Sequence, residues 1–148
     1  MYIHWDKQFE TGQTLIDTEH RLLMMLFRKL DIAIKTNQPE AILSRIVLEV
    51  VKFADFHFIS EENVMIETAY PGLETHRAQH AELMAELNEK VGRLASHREF
   101  PDDLLDFLLA WLKDHIAHHD QLVAQHVRTS RSRPVAEMIY DEYLLSPD

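Results

Sequence analysis

The stretch PDDLLDFLLAWLKDHIAHHD, residues 101–120, joins a long helical pattern to a dense group of histidines at its end. Its large aliphatic residues recur every four positions: Leu104, Leu108, Leu112 and Ile116. This spacing puts them on one face of a helix, and Pro101 suits the first turn of that helix. The stretch therefore predicts an amphipathic helix from Pro101 to about Val127 that carries histidine and aspartate near its end.

Three earlier segments show the same periodicity, and the glycines and prolines separate them. They run from about Asp17 to Thr36, from near Pro39 to the YPG at residues 70–72, and from about Leu73 to Ser96. No segment shows the apolar–polar alternation of a strand over any length. Short connections between long amphipathic helices predict an all-α fold, an up-down-up-down antiparallel four-helix bundle.

The chain length of 148 residues corresponds to about one domain. We expect residues 1–130 to form the bundle with an N-terminal arm over residues 1–13 that holds Trp5 and Phe9. Residues 131–148 form a C-terminal tail, in which PVAEMIYDEYLL predicts a short helix after Pro134. This tail packs on the bundle, frays at the chain end, or docks a partner or a second copy of the chain. The oligomeric state stays open.

The composition excludes several classes of function. A formal charge of -10 argues against nucleic acid and anionic membrane as partners. No cysteine is present, which removes zinc–thiolate sites, iron–sulfur clusters and cysteine nucleophiles. The N-terminus lacks a basic segment followed by an apolar run, so we expect no signal peptide and a cytoplasmic protein. Ten histidines without cysteine favour a metal site built from nitrogen and oxygen donors.

Seven polar residues interrupt the apolar faces of the four segments: His20, His57, Glu61, His76, His80, His115 and Asp120. In an antiparallel bundle, helices one and three begin where helices two and four end, and all seven residues fall at that end. They should therefore converge in the core. A metal-free polar network is the alternative, but it would bury five imidazoles and two carboxylates at considerable cost.

Ligand counting indicates which metal the seven residues suit. Five imidazole nitrogens and two bridging carboxylates fill about nine coordination positions, and a solvent-derived bridge fills about two more. Two octahedral ions need about twelve, so about one position stays open. An imidazole-rich pair with one open position in an apolar pocket suits iron that binds a small diatomic ligand.

The pattern of a lone His20, HxxxE from His57, HxxxH from His76 and HxxxxD from His115 resembles the hemerythrin family, particularly its bacterial single-domain members. The flanking sequences IDTEH, FHFISEENVM, YPGLETHRAQH and WLKDHIAHHD are also similar to that family. The resemblance covers about residues 3–127 and includes all seven candidate ligands.

The resemblance implies two iron ions per chain, cycling between Fe2+ and Fe3+ and joined by an oxo or hydroxo bridge. His76, His80 and His115 would hold one iron. His20 and His57 would hold the second iron, where O2 binds, and Glu61 and Asp120 would bridge the pair. The remaining histidines of the last segment, His118, His119 and His126, would not be ligands.

Leu112 matches an apolar position of the family that faces the O2 pocket, and we expect Phe53 and Ile116 to complete that wall. The implied function is reversible O2 binding without catalysis, for transport, storage, delivery or sensing. Other diatomic ligands stay open.

The alternative is a di-iron redox enzyme, or an iron or oxygen sensor that acts through a partner protein. Ferritin-like di-iron oxidases build their sites from ExxH motifs, and this sequence has none. The dipeptide HD at residues 119–120 also occurs in metal-dependent phosphohydrolases, but the other spacings fit the hemerythrin pattern better.

The spacing from His115 to Asp120 makes a geometric prediction. Five residues on a regular α-helix correspond to about 140° of rotation, which would put the two side chains on different faces. We therefore expect a local π-helical widening between them, or a carboxylate that reaches in from the flank.

Overall fold

The structure is a computed structural model that describes residues 3–143, without the side chains of residues 139–141. The first two residues of the predicted arm and the last five of the predicted tail lie outside the described residues. The helices are α1 (Thr14–Lys35), α2 (Glu40–Glu67), α3 (Leu73–Ala95), α4 (Pro101–His115), α5 (Gln121–Thr129) and α6 (Val135–Tyr143). A π-helical turn, Ile116–Asp120, joins α4 to α5 without a break, and a 3-10 turn, Lys7–Phe9, precedes α1.

The four long helices form the predicted up-down-up-down bundle. Helix α1 packs against α2 and α4, and α3 packs against α2 and α4. Contacts across neighbouring helices show that they are antiparallel. Lys29 Nζ lies 2.8 Å from Glu49 Oε1 at one end of the α1–α2 pair, and Ser60 Oγ donates to Glu19 Oε2 at the other. The all-α four-helix bundle predicted from the sequence is confirmed.

The helix ends differ from the prediction by a few residues because local capping determines them. Helix α1 begins three residues before Asp17, since the Gln13 side chain accepts a hydrogen bond from Leu15 N. The carboxylate of Asp17 then accepts from Thr11 N and Gly12 N, which fixes the preceding loop. The second segment was predicted to start near Pro39, and Pro39 lies just before α2 with extended backbone.

Two buried apolar clusters lie on either side of the seven candidate ligands. The larger one fills the centre of the bundle, and the smaller one closes the end near the start of α1. On α1, Ile16 belongs to the small cluster, Leu23 belongs to the large cluster, and His20 lies between them. The order repeats in the last helical segment, where Asp120 lies between Ile116 and Val123. The polar residues are therefore enclosed in apolar surroundings within the core.

Helix α6 lies where the short C-terminal helix was expected, and it packs against α1 and α2. Val135 N donates to Glu67 Oε2 over 2.7 Å, and the Gln13 side chain donates to Glu137. Ala136 contacts the small apolar cluster. Within residues 3–143, no helix combines the length and apolar composition needed to cross a membrane.

Candidate metal centre

The structure brings all seven candidate ligands together in the core. They form two groups that share a member, and within each group one nitrogen or oxygen per residue lies within 4.8 Å of the others. One group contains Glu61, His76, His80 and His115, and the other contains His20, His57, Glu61 and Asp120. We call His76, His80 and His115 the three-histidine group, and His20 and His57 the two-histidine group. None of the seven residues is more than 3% exposed.

Glu61 lies between the two groups and directs one carboxylate oxygen to each. Its Oε2 lies 3.3 Å from Nε2 of His57. Its Oε1 is in close contact with Nε2 of His76 and lies 3.6 Å from Nε2 of His80. This is the arrangement expected of a carboxylate that bridges two metal ions.

Asp120 repeats the arrangement from the last helical segment. Its Oδ2 lies 2.8 Å from Nε2 of His20, whereas its Oδ1 lies 3.0 Å from Nε2 of His115 and 3.3 Å from Nε2 of His76. The two carboxylates therefore face each other across one small space. Both contribute an oxygen to each histidine group.

The π-helical turn Ile116–Asp120 puts Asp120 on the buried face of its helix. A π-helical turn holds more residues than an α-helical one, so side chains five apart fall closer to one face. His115 ends α4 immediately before this turn, and both His115 and Asp120 are buried. The predicted π-helical widening between the two residues is confirmed.

The buried polar atoms of this cluster suit a metal better than a metal-free network. Several of them have no hydrogen-bond partner of acceptable geometry: both nitrogens of His20, Nε2 of His57 and His76, and both oxygens of Glu61 and Asp120. Nε2 of His80 and Nε2 of His115 also face each other at 3.2 Å. Buried polar groups are normally satisfied, so donors that face a common space without partners indicate a cation between them. The donor set is nitrogen and oxygen only, which fits iron.

Three of the histidines have raised pKa values. Burial disfavours their charged forms, but nearby carboxylates outweigh burial. The hydrogen bond to Glu19 and the nearby carboxylate of Glu61 raise the pKa of His57 to about 9. Asp120 and Glu61 together raise the pKa of His76 to about 9 and that of His115 to about 10.

His80 behaves in the opposite way, because burial and the nearby His115 and His76 lower its pKa to about 3 despite the attraction of Glu61. Burial and the mutual repulsion of Glu61 and Asp120 would raise the pKa values of the two carboxylates. Contacts with the surrounding histidines overcome this, and the pKa values of both carboxyls fall below their ordinary values. Both carboxylates are therefore ionised at neutral pH and available as ligands.

Two further carboxylates contact the outer nitrogens of candidate ligands, and sequence reasoning did not find them. Glu19 Oε1 lies 2.8 Å from Nδ1 of His57, and Glu62 Oε2 lies 3.1 Å from Nδ1 of His80. Each glutamate stands next to a candidate ligand in the sequence, which is the only signal that the sequence offers. With Nδ1 hydrogen-bonded to a carboxylate, Nε2 would be free to bind a metal ion.

Aromatic rings surround the three-histidine group. Phe58 stacks on His80 with ring centroids 4.0 Å apart, and Trp111 stacks on His115 at 5.1 Å. Phe58 and Trp111 also meet edge to face at 5.3 Å. These rings restrict the orientations of the two imidazoles.

The expected apolar wall has two fully buried members, Leu112 and Ile116, both on the last helical segment near His115. Phe53 is half-buried and packs beside Phe56, with ring centroids 5.7 Å apart. Its place in an O2 pocket stays a prediction.

His118, His119 and His126 belong to neither of the two groups of candidate ligands. His118 is exposed and lies 3.5 Å from Asp114. The half-buried His126 interacts through Nε2 with the carbonyl oxygen of Thr68. His119 is half-buried beside His115, with ring centroids 5.3 Å apart.

Comparison with known proteins agrees with this geometry. The sequence profile of the hemerythrin HHE cation binding domain matches residues 11–127. A bacteriohemerythrin of Stenotrophomonas maltophilia is 29% identical over 84% of this chain and 80% of its own length. A bacteriohemerythrin of Clostridium acetobutylicum is 28% identical over 79% of this chain and 95% of its own length. A myohemerythrin of Riftia pachyptila is 28% identical over 76% of this chain and 82% of its own length.

Proposed function

The chain belongs to the hemerythrin family, and from that premise we propose that it binds O2 reversibly at a centre of two iron ions. One observation carries the proposal: Glu61 and Asp120 each direct one oxygen to the three-histidine group and the other to the two-histidine group. Two such carboxylates between unequal sets of imidazoles fit a pair of metal ions with different numbers of protein ligands.

In this proposal, His76, His80 and His115 would hold one iron, and His20 and His57 would hold the other. Glu61 and Asp120 would each offer an oxygen to both ions. When bound, the iron pair would supply the electrons and an open coordination position for O2. The two-histidine group has fewer imidazoles, so that side would leave room for O2.

The role of the chain's other residues is to hold the donors and to exclude water. The side chains of Leu112 and Ile116 are aliphatic, so they offer no polar group to the centre. Both are almost fully buried, so they admit no solvent on their side of it. The small apolar cluster with Ile16 and Val123 closes the end of the bundle beyond the ligands. A dry pocket favours release of O2 as the neutral molecule, because a charged reduced oxygen species would have to separate from the centre without water to stabilise its charge. Reversible binding is therefore favoured over catalysis.

The experiment is metal analysis combined with absorption spectra of the air-exposed protein, of the dithionite-reduced protein, and of the reduced protein after O2 is readmitted. We expect about two irons per chain and visible charge-transfer bands that vanish on reduction and return with O2. Two irons that oxidise irreversibly would indicate a sensor or a slow redox enzyme instead. Zinc, or no metal, would contradict the proposal.

Two variants complete this experiment. His20→Ala removes a buried candidate ligand and should abolish the bands that return with O2. His118→Ala is the matched control, since His118 lies in the same histidine-rich stretch but its side chain is 70% exposed. Its spectra should equal those of the parent protein. The use of O2 binding for transport, storage, delivery or sensing stays a prediction, as does the cytoplasmic location.

A further inference from the structure

Glu19 stands next to His20 on α1, but its carboxylate serves the neighbouring helix α2. Its Oε1 lies 2.8 Å from Nδ1 of His57, and its Oε2 accepts a hydrogen bond from Ser60 Oγ over 2.8 Å. Both oxygens are therefore occupied by groups of α2. The carboxylate has one fixed orientation with respect to the His57 ring.

The carboxylate of Glu19 is buried, and no Lys or Arg side chain of the described residues pairs with it. The residue is 4% exposed, and no Lys or Arg of residues 3–143 lies within ion-pair distance of it. The corresponding carboxylate of the three-histidine group, Glu62, differs in both respects. Its side chain is 20% exposed, and its Oε1 lies 3.2 Å from Nε of Arg77. Among the described residues, the carboxylate of Glu19 thus contacts only His57 and Ser60 of α2 and has no Lys or Arg partner, whereas Glu62 is paired with Arg77 and lies partly in solvent.

We propose that Glu19 is a positioning residue for the two-histidine group and that its charge strengthens metal binding there more than Glu62 strengthens it in the three-histidine group. The inference rests on the metal-centre part of the proposed function and not on O2 binding. Glu19 holds the Nδ1 proton of His57, so that Nε2, which lies 3.3 Å from Glu61 Oε2, faces the metal.

The physical reason is that a negative charge one imidazole away from a cation attracts it, and the attraction is strong where solvent cannot screen it. The charge of Glu19 lies in the buried interior, where its attraction for the nearest metal ion is little screened. The charge of Glu62 is offset by Arg77 and screened by water, so its attraction for the nearest ion is smaller. The two-histidine group has fewer imidazoles, and an outer charge compensates for part of that deficit.

Three substitutions separate the charge of Glu19 from its hydrogen bond. Glu19→Gln keeps the size and an oxygen that accepts from Nδ1 of His57, but it removes the charge. Glu19→Leu removes both the charge and the acceptor. Glu62→Gln makes the same chemical change at the other outer carboxylate. Asp31→Asn controls for the loss of a buried carboxylate on α1, since Asp31 pairs with Lys35 far from the centre.

The measurement is Co2+ titration of the metal-free protein against a competing chelator. Loss of an outer-shell partner typically costs 10- to 100-fold in metal affinity, so we expect Glu19→Gln to weaken one of the two bound ions by roughly 10- to 100-fold. Glu62→Gln should weaken binding by less than about threefold, as for a screened and paired charge. Asp31→Asn should leave both affinities unchanged. A cooperative thermal transition and the far-UV circular dichroism of the parent protein in each metal-free variant would show that the effect is not loss of fold.

The absorption spectrum of bound Co2+ identifies which ion is weakened. Glu19→Leu should bind about one Co2+ per chain, with a spectrum that matches the His20→Ala variant rather than the His80→Ala variant. Equal effects of Glu19→Gln and Glu62→Gln would overturn the inference, as would two ions of parental affinity in Glu19→Leu.

A second readout reports orientation directly. In the Zn2+-loaded protein, the Nδ1 proton of His57 should give a slowly exchanging, downfield proton resonance, which Glu19→Leu loses and Glu19→Gln keeps. Persistence of that resonance in Glu19→Leu would contradict the positioning role. Because Co2+ and Zn2+ do not bind O2 in this way, failure of O2 binding and failure of this inference are distinguishable.

Discussion

Nε2 of His115 lies 3.0 Å from Oδ1 of Asp120, although the two residues are five positions apart in the chain. On a regular α-helix their side chains would point about 140° apart. The π-helical turn between them brings both side chains to the buried face. Such turns are rare and occur frequently at functional sites, because a less favourable backbone needs a compensating role.

Asp120→Ala should reduce bound metal from about two ions per chain to one or none. Asp120 directs an oxygen to each histidine group, so its removal takes a donor from both candidate ions. Metal analysis after reconstitution with Fe2+ measures the effect. Asp114→Ala is the matched control, because Asp114 lies on the same helical segment one residue before His115 and its side chain is 68% exposed. Retention of two tightly bound ions in Asp120→Ala would disprove the bridging role.

The convergence of the seven polar residues could be predicted because it depends on two features that the sequence shows directly. These are the helical spacing of apolar residues and the short connections between helices. Apolar spacing of four residues defines the buried face, and the short connections define which ends meet. The π-helical turn also followed from the sequence, since the five-residue interval from His115 to Asp120 left few ways to bury both.

The contacts of Glu19 and Glu62 with the Nδ1 atoms of candidate ligands could not be predicted. They depend on the exact rotation of adjacent helices about their axes. Glu19 and His57 are 38 residues apart, and nothing in either segment shows that their side chains meet. In the sequence, Glu19 and Glu62 look like ordinary charges on a helix surface. The exposure of Phe53 depends on the same rotation: the residue is half-buried, packs against the large apolar cluster and lies beside Phe56.

Metal affinity should rise with pH between about 6 and 8. The pKa values of His57 and His76 are raised to about 9 and that of His115 to about 10, so these imidazoles hold protons at neutral pH in the metal-free protein. A metal must displace those protons, and each displaced proton contributes about one decade of affinity per pH unit. Co2+ competition titrations at several pH values should therefore give a slope of at least about one decade per unit. A flat profile would contradict protonation of these imidazoles.

Thermal stability of the metal-free protein should fall as pH rises, whereas metal affinity should increase. The three raised pKa values lie above the ordinary value of 6.5, so the stability that these histidines contribute is fully present below pH 6.5. It is lost as pH rises through about 9 to 10. Melting temperatures measured with chelator should fall over this window, whereas the metal-loaded protein should not show that fall. A constant melting temperature from pH 6.5 to 10 would contradict the raised pKa values.

Removal of residues 134–148 should lower the melting temperature by several degrees. Helix α6 packs on α1 and α2, Val135 N donates to Glu67, and Ala136 covers part of the small apolar cluster. A loss of about 1 kcal/mol shifts the melting temperature of a domain of this size by roughly 2–8 °C. Differential scanning calorimetry measures the shift, and Glu142→Gln, a charge change on the exposed face of α6, is the control.

The same truncation tests docking: a change in the sedimentation coefficient beyond that of the lost mass would indicate that the tail joins two copies.

Leu112→Asn should increase the rate of autoxidation of the iron-loaded protein by about tenfold, which corresponds to about 1.4 kcal/mol of barrier. Leu112 is 1% exposed and lies one turn before His115, so an amide there brings a polar group and room for water into the apolar wall. Absorption spectra followed in air after reduction and O2 loading measure the rate.

Leu122→Asn makes the same chemical change on α5, where the side chain is 54% exposed, and should leave the rate unchanged. Iron content and the melting temperature must be compared first, because a buried asparagine also destabilises the core. Equal autoxidation rates in the two variants at equal iron content would show that Leu112 does not line the O2 pocket.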